Sequence, residues 1–185
     1  PFSIVALGDS LTAGYGLPPQ DAFTTRLQQR LSANGLNVEV VNAGVSGDTS
    51  KGGLARIDWS VPDGTGLVIV ELGANDALRG ISPAETAKNL DAIIVRLKQR
   101  GIGVLLAGML APPSMGSDYE TAFNAIYPGL AAKHDVPLYP FFLDGVVADP
   151  KLNQADGMHP NAAGTDVIIE RLSPVVDKLV RSLAL

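Results

Sequence analysis

The chain has 185 residues, no cysteine and a hydrophobic content of 46%, which suits one domain burying roughly 70% of its unfolded surface without disulfide or thiolate-zinc staples. Fourteen basic residues against nineteen acidic ones leave a net charge of −5, so a basic footprint for nucleic acid is missing. Apolar runs such as Leu67 to Val70 and Val104 to Leu106 fall far below the ~20 residues that span a bilayer, which argues against stable membrane insertion.

Taken in chain order, short apolar runs alternate with longer amphipathic segments. Phe2 to Leu7 reads as a first strand and starts almost at once, so no signal peptide is visible. Phe23 to Ala33 reads as a helix stopped by Asn34-Gly35. Val38 to Asn42 and Leu67 to Leu72 are the next strands. Ser82-Pro83-Ala84-Glu85 carries an N-cap, a first-turn proline and a capping-box glutamate, which opens a helix to about Arg100 closed by Gly101. Gly103 to Ala107 is a fourth strand. Tyr119 to Lys133 is a further helix that Pro128 is expected to kink. Val136 to Tyr139 is a weaker fifth strand whose proline suits an edge. From about Asn161 an apolar stripe including Val167, Ile168, Leu172 and Val176 predicts a helix to the C-terminus. This alternation predicts an α/β domain over residues 1–185, a three-layer α/β/α sandwich around a parallel sheet.

In such sheets the strand C-terminal ends hold the site, and four clusters fall there: Gly8-Asp9-Ser10, Ala43-Gly44, Gly73-Ala74-Asn75-Asp76 and Ala111-Pro112-Pro113. Ser10, after a strand and a glycine, suits a nucleophile with backbone N–H groups aimed at its target. Asp9 or Ser10 as an ordinary helix cap explains the same residues. Of two histidines, His134 ends a helix, where a cation suits the dipole. His159 lies in Asp156-Gly157-Met158-His159-Pro160, where a turn brings the Asp156 carboxylate to the Nδ1–H; a solvated loop pair is the bland account. Three oxyanion donors offer themselves: the Ser10 N–H, the Gly44 N–H and the Asn75 amide. Gly44 meeting a backbone requirement and Asn75 sitting in a turn are the alternatives. Zinc is a weak reading, because a catalytic site wants three protein ligands.

These residues resemble the SGNH (GDSL) hydrolase family, whose four blocks supply a serine, a glycine, an asparagine and a histidine. They appear in order as Gly8-Asp9-Ser10-Leu11, Gly44 within Asn42-Ala43-Gly44, Gly73-Ala74-Asn75-Asp76, and Asp156-Gly157-Met158-His159-Pro160. Supporting stretches are Ser46-Gly47-Asp48-Thr49-Ser50, Gly53-Leu54-Ala55-Arg56, Val70-Glu71-Leu72-Gly73 and Phe123 to Pro128, which are similar to the bacterial thioesterase I, lysophospholipase L1 and arylesterase branch. The resemblance implies a flavodoxin-like fold, a triad of Ser10, Asp156 and His159, and an oxyanion hole of Ser10, Gly44 and Asn75. It implies no cofactor and a small ester or thioester substrate. Members of this branch usually carry a signal peptide and act in the periplasm or outside the cell, so a removed presequence is expected.

Met109, Leu110, Pro112 and Met158 are expected to border the acyl pocket, with Leu78, Ile81, Pro113, Met115, Gly116 and Pro160 as further candidates. Short-chain and aryl esters come first, ahead of thioesters, lysophospholipids and acetylated carbohydrates. Competing readings need features that the sequence lacks. A phosphate or flavin module wants a glycine-rich cradle after the first strand, and a carbohydrate-binding module wants more than 5% aromatics and one tryptophan, Trp59.

Overall fold

The computed structural model describes Pro1 to Leu185. Strands β1 (Phe2–Gly8), β2 (Val38–Gly44), β3 (Leu67–Glu71), β4 (Gly103–Ala107) and β5 (Leu138–Tyr139) form one sheet in the order β2-β1-β3-β4-β5. Every pair is parallel. Helices are α1 (Ser10–Ala13), α2 (Phe23–Ala33), α3 (Ser50–Ala55), α4 (Ile57–Ser60), α5 (Ala74–Leu78), α6 (Pro83–Gln99), α7 (Ser117–Asn124), α8 (Ile126–His134) and α9 (Ala162–Leu183). On one side of the sheet α2 packs against α9; α6 packs against α3 and α8. Layers of helix, parallel sheet and helix follow, as the alternation of apolar runs predicts.

Central strands covered on both faces must be apolar throughout, and all five residues of β3 are buried. Its last residue breaks the pattern, because Glu71 is a carboxyl with 0% exposure. β2 at the edge is only partly covered. β5 is shorter than expected and begins after Pro137, which keeps the proline outside the ladder.

Local signals set several boundaries well. α2 ends at Ala33 with Asn34 as its cap, and Ser82 Oγ accepts the Glu85 N–H at the start of α6. Instead of one helix kinked at Pro128, α7 and α8 are separate and meet at Ala125. Proline lacks an N–H and its ring crowds the carbonyl four residues earlier, so the interruption falls at Asn124 and Ala125, and Pro128 sits inside the first turn of α8. The strand order reverses direction of growth at β1, and crevices outside the strand ends at such a point are where ligands bind in open α/β sheets.

Candidate active site

β1 brings the chain to the sheet edge at Gly8. Asp9 caps α1, its Oδ1 accepting the Leu11 N–H at 3.0 Å. The capping role therefore falls to Asp9. Ser10, at the first helical position, has an N–H without an intrahelical acceptor, and its Oγ lies 2.9 Å from His159 Nε2.

On the far side, His159 Nδ1 lies 2.5 Å from Asp156 Oδ2. With Nδ1–H donating to the carboxylate, Nε2 is the lone-pair nitrogen that accepts the Ser10 hydroxyl. Asp156 Oδ1 accepts two backbone N–H groups, Met158 at 2.9 Å and His159 at 3.0 Å. The His159 backbone bond, then the imidazole, then the Met158 bond lower its carboxyl to about 2. The side chain of Asp156 is 37% exposed and that of His159 19%, so this is a surface loop shaped by local bonds. Gln154 fastens it to the segment that follows α1. Its Nε2 donates to Tyr15 O at 2.8 Å and to Pro160 O at 2.9 Å, and its backbone N–H donates to His159 O at 2.7 Å. The Tyr15 and His159 rings sit 4.5 Å apart, centroid to centroid.

Asn75, on α5, lies at the same edge. Its Nδ2 donates one hydrogen to Asp48 O at 2.9 Å, leaving the second for another acceptor. Gly73 turns the chain into this helix at φ +121°, and a Cβ there would meet Tyr127 Oη at 1.9 Å, so only glycine fits. Asp76 anchors α5 from below by accepting the Ser50 N–H, the Ser50 hydroxyl and the Thr86 hydroxyl.

Gly44 departs from its expected role. Its N–H donates to Asn42 Oδ1 at 2.9 Å, so it is not a free donor. Glycine is needed there for close approach, since a Cβ would lie 2.3 Å from Ala13 N. Three residues on, Gly47 (φ +82°) has an N–H with no partner in the chain, and its neighbour Asp48 carries the carbonyl bound to Asn75. Sequence reading passed over Gly47, whose signal is a glycine in the loop just ahead of a capped helix.

Arg56 was also passed over as a site residue. Its guanidinium donates to Gly8 O at 3.0 Å, Ala43 O at 2.9 Å and Asp48 Oδ2 at 2.7 Å. One side chain, 11% exposed, thus joins the ends of β1 and β2 to the Gly47–Asp48 loop.

Met109, Leu110, Pro112 and Met158 all line one cleft of about 550 Å³ that reaches Ser10, Asn75 and His159. Leu78 and Pro113 join them, whereas Ile81, Met115 and Gly116 do not, and Pro160 faces a separate small hollow behind Ser10. The opposite wall comes from Phe141, Leu143 and Val147, an apolar stretch without helical or strand period. His134 pairs with Asp91 at 2.6 Å at the end of α8, away from any serine, in keeping with its helix-end reading. No group of three or more His, Asp or Glu side chains converges to hold a metal ion.

The profile of the GDSL-like lipase/acylhydrolase family matches residues 6–167. The chain is 39% identical to a protein named arylesterase from Vibrio mimicus over 184 residues, covering 97% of this chain and 89% of that one. It is 38% identical to a protein named thioesterase 1/protease 1/lysophospholipase L1 from Escherichia coli K12 over 179 residues, 96% of this chain and 85% of that one. Among solved structures, the SGNH-hydrolase family esterase AlinE4 superposes with a TM-score of 0.82 at 46% identity, covering 97% of this chain and 96% of that one.

Proposed function

From the premise that the chain belongs to the GDSL-like lipase/acylhydrolase family and is a carboxylic ester hydrolase, we propose that Ser10 is its nucleophile, His159 its acid and base, and Asp156 the group that orients the imidazole. The observation that carries this reading is the pair of contacts made by one ring: Nε2 to Ser10 Oγ at 2.9 Å and Nδ1 to Asp156 Oδ2 at 2.5 Å. His159 takes the Ser10 proton as Oγ attacks the ester carbonyl, then returns it to the departing alcohol. Water, deprotonated by the same nitrogen, attacks the acyl-enzyme and releases the acid. The Ser10 N–H, the Gly47 N–H and the second Asn75 amide hydrogen are the donors proposed for the oxyanion; one such donor contributes about 2.7–4 kcal/mol.

The substrates proposed are short-chain acyl and aryl esters, with thioesters and lysophospholipids next. The cleft volume falls within the usual range for small-molecule sites, and its apolar walls suit acyl or aryl groups. Such walls discriminate by only about 1–3 kcal/mol per methylene, so a broad range is expected. An acetylated sugar would find one aromatic face in the cleft, Phe141. Action in the periplasm or outside the cell belongs to the same proposal and rests on the family resemblance.

Ser10→Ala is the direct test. It should abolish p-nitrophenyl ester hydrolysis and labelling by a fluorophosphonate probe while the thermal transition stays that of the parent. Near-full activity in this variant would end the proposal. A chain-length series of p-nitrophenyl esters and acyl-CoA thioesters would rank the substrates.

A further inference from the structure

Directly behind the nucleophile lies a second acidic pair that the proposed mechanism does not use. Glu71, the last residue of β3, stands opposite Gly8 in the sheet register. Asp9 and Glu71 are both fully buried. Glu71 Oε1 accepts the Thr12 hydroxyl at 2.8 Å and the Asp9 N–H at 3.3 Å, while Asp9 Oδ1 accepts the Leu11 N–H. That leaves Asp9 Oδ2 and Glu71 Oε2, both buried, with no partner, while the Asp9 N–H on Glu71 Oε1 sets the two residues side by side. Packing is tight here: a Cβ on Gly8 would fall 2.7 Å from Glu71 Oε1 and 2.1 Å from Thr12 Oγ1.

Two ionised carboxylates on neighbouring, fully buried residues are not tolerated without a cation. None bonds to them. The nearby guanidinium of Arg56 is directed to Gly8 O, Ala43 O and Asp48, and the Tyr127 hydroxyl gives its hydrogen to Leu72 O. A single proton held between the two side chains would relieve the charge and give the orphaned oxygens a partner. We propose that Asp9 and Glu71 share one buried proton, and that Glu71 in this form is a positioning residue that sets the start of α1 and so the placement of Ser10. The role in placing a nucleophile rests on the reading of Ser10 given above; the shared proton does not.

The electrostatics agree with the geometry. Burial first, then the Asp9 charge, push Glu71 well above the usual carboxylic range. Burial pushes Asp9 up to about 6 against the opposing pull of its hydrogen bonds to Glu71 and Leu11. His159 and Asp48 face Asp9 with opposite effects. The Tyr127 phenol from α8 faces both carboxyls and Asp76, and is itself raised by burial. Because both acids are raised, their contribution to stability is fully present at low pH and falls as pH rises through the values of the folded pair. Losing the last proton puts two charges against the N-cap of α1, and relief requires that cap to move.

The test uses the full chain, with Glu71→Gln as a mimic of the protonated form. Its amide can donate to Asp9 Oδ2 while its carbonyl still accepts from Thr12. Infrared difference spectra of the parent should show a protonated carboxyl band at neutral pH that is lost on alkalinisation and is missing from Glu71→Gln. The kcat of Glu71→Gln at neutral pH should match the parent; the parent should lose kcat at alkaline pH, and in the variant that loss should shift upward or vanish. Absence of the band in the parent, or the same alkaline profile in both proteins, overturns the proposal. If Glu71→Gln does not fold, the band in the parent decides the shared proton. Asp9→Asn, which keeps the single negative charge and supplies its own donor, then decides the pH profile. A Ser10→Ala protein that keeps the band but loses hydrolysis separates this inference from the reading of the nucleophile.

Discussion

The two halves of the proposed catalytic pair are held in contrasting ways. Ser10 stands on a dry foundation: Gly8 and Asp9 are buried, Glu71 lies behind them, and Arg56 ties the strand ends together from within. His159 stands on an exposed loop shaped by bonds across three residues and fastened by one glutamine. The Ser10 end thus draws its precision from long-range packing, and the His159 end from a local turn. Damage to the first should register in stability as well as rate, whereas damage to the second should register mainly in rate.

The sharpest test of that contrast is Asp156→Asn. An asparagine favours the wrong imidazole tautomer, and kcat should fall by about 10⁴-fold with little change in the thermal transition. Parent-like turnover would reduce Asp156 to a loop residue. Arg56→Met strikes the opposite end. It leaves Asp48 unpaired in a nearly buried position, so the fold should lose about 3 kcal/mol in urea unfolding. Movement of the Gly47–Asp48 loop should lower kcat by up to about 100-fold with KM nearly constant. A change in KM alone would mean that Arg56 does not set the oxyanion donors. Gln154→Leu removes two side-chain bonds of about 1 kcal/mol each. Steady-state kinetics should show kcat/KM down by about 10-fold, with a stability loss no larger than about 2 kcal/mol for the two bonds; a loss well beyond that in urea unfolding would instead make Gln154 part of the packing.

The smallest effect concerns pH. Asp156 is held at about 2, below its ordinary value of 3.8. A lowered carboxyl adds stability above the unfolded value and loses it as pH falls through the folded one. The gap in melting temperature between the parent and Asp156→Asn should therefore narrow through that acidic window. Its size is limited by the exposure of the loop, and a gap that widens in acid would contradict the assigned bonds.

The same contrast explains what could be read before the structure. Phe23–Ala33 and Gly103–Ala107 were legible to the residue because caps, glycine stops and apolar runs are local. So was the Asp156–His159 turn, whose partners are three residues apart. Met109, Leu110, Pro112 and Met158 were legible as cleft residues because they flank strand-end loops. Gly44 misled, since a glycine near a strand end serves equally well as a donor or as a gap for a neighbouring backbone. Asn42 Oδ1 takes its N–H, and Ala13, thirty-one positions upstream, is the backbone that needs the gap. Arg56 read as a flanking residue, because nothing near it in sequence reveals that Gly8 O and Ala43 O converge on its guanidinium.

By itself, then, the sequence determined the alternation of strands and helices, the order of the four family blocks and the pairing of Asp156 with His159. Each depends on periodicity or on spacing within a turn or two, where chain geometry leaves few choices. The tertiary structure decided that Gly44 leaves room for the Ala13 backbone, that Arg56 gathers Gly8 O and Ala43 O, and that Asp9 meets Glu71 in the dry interior. Those outcomes depend on which distant backbone or side chain fills the adjoining space, and close packing across the sheet settles that.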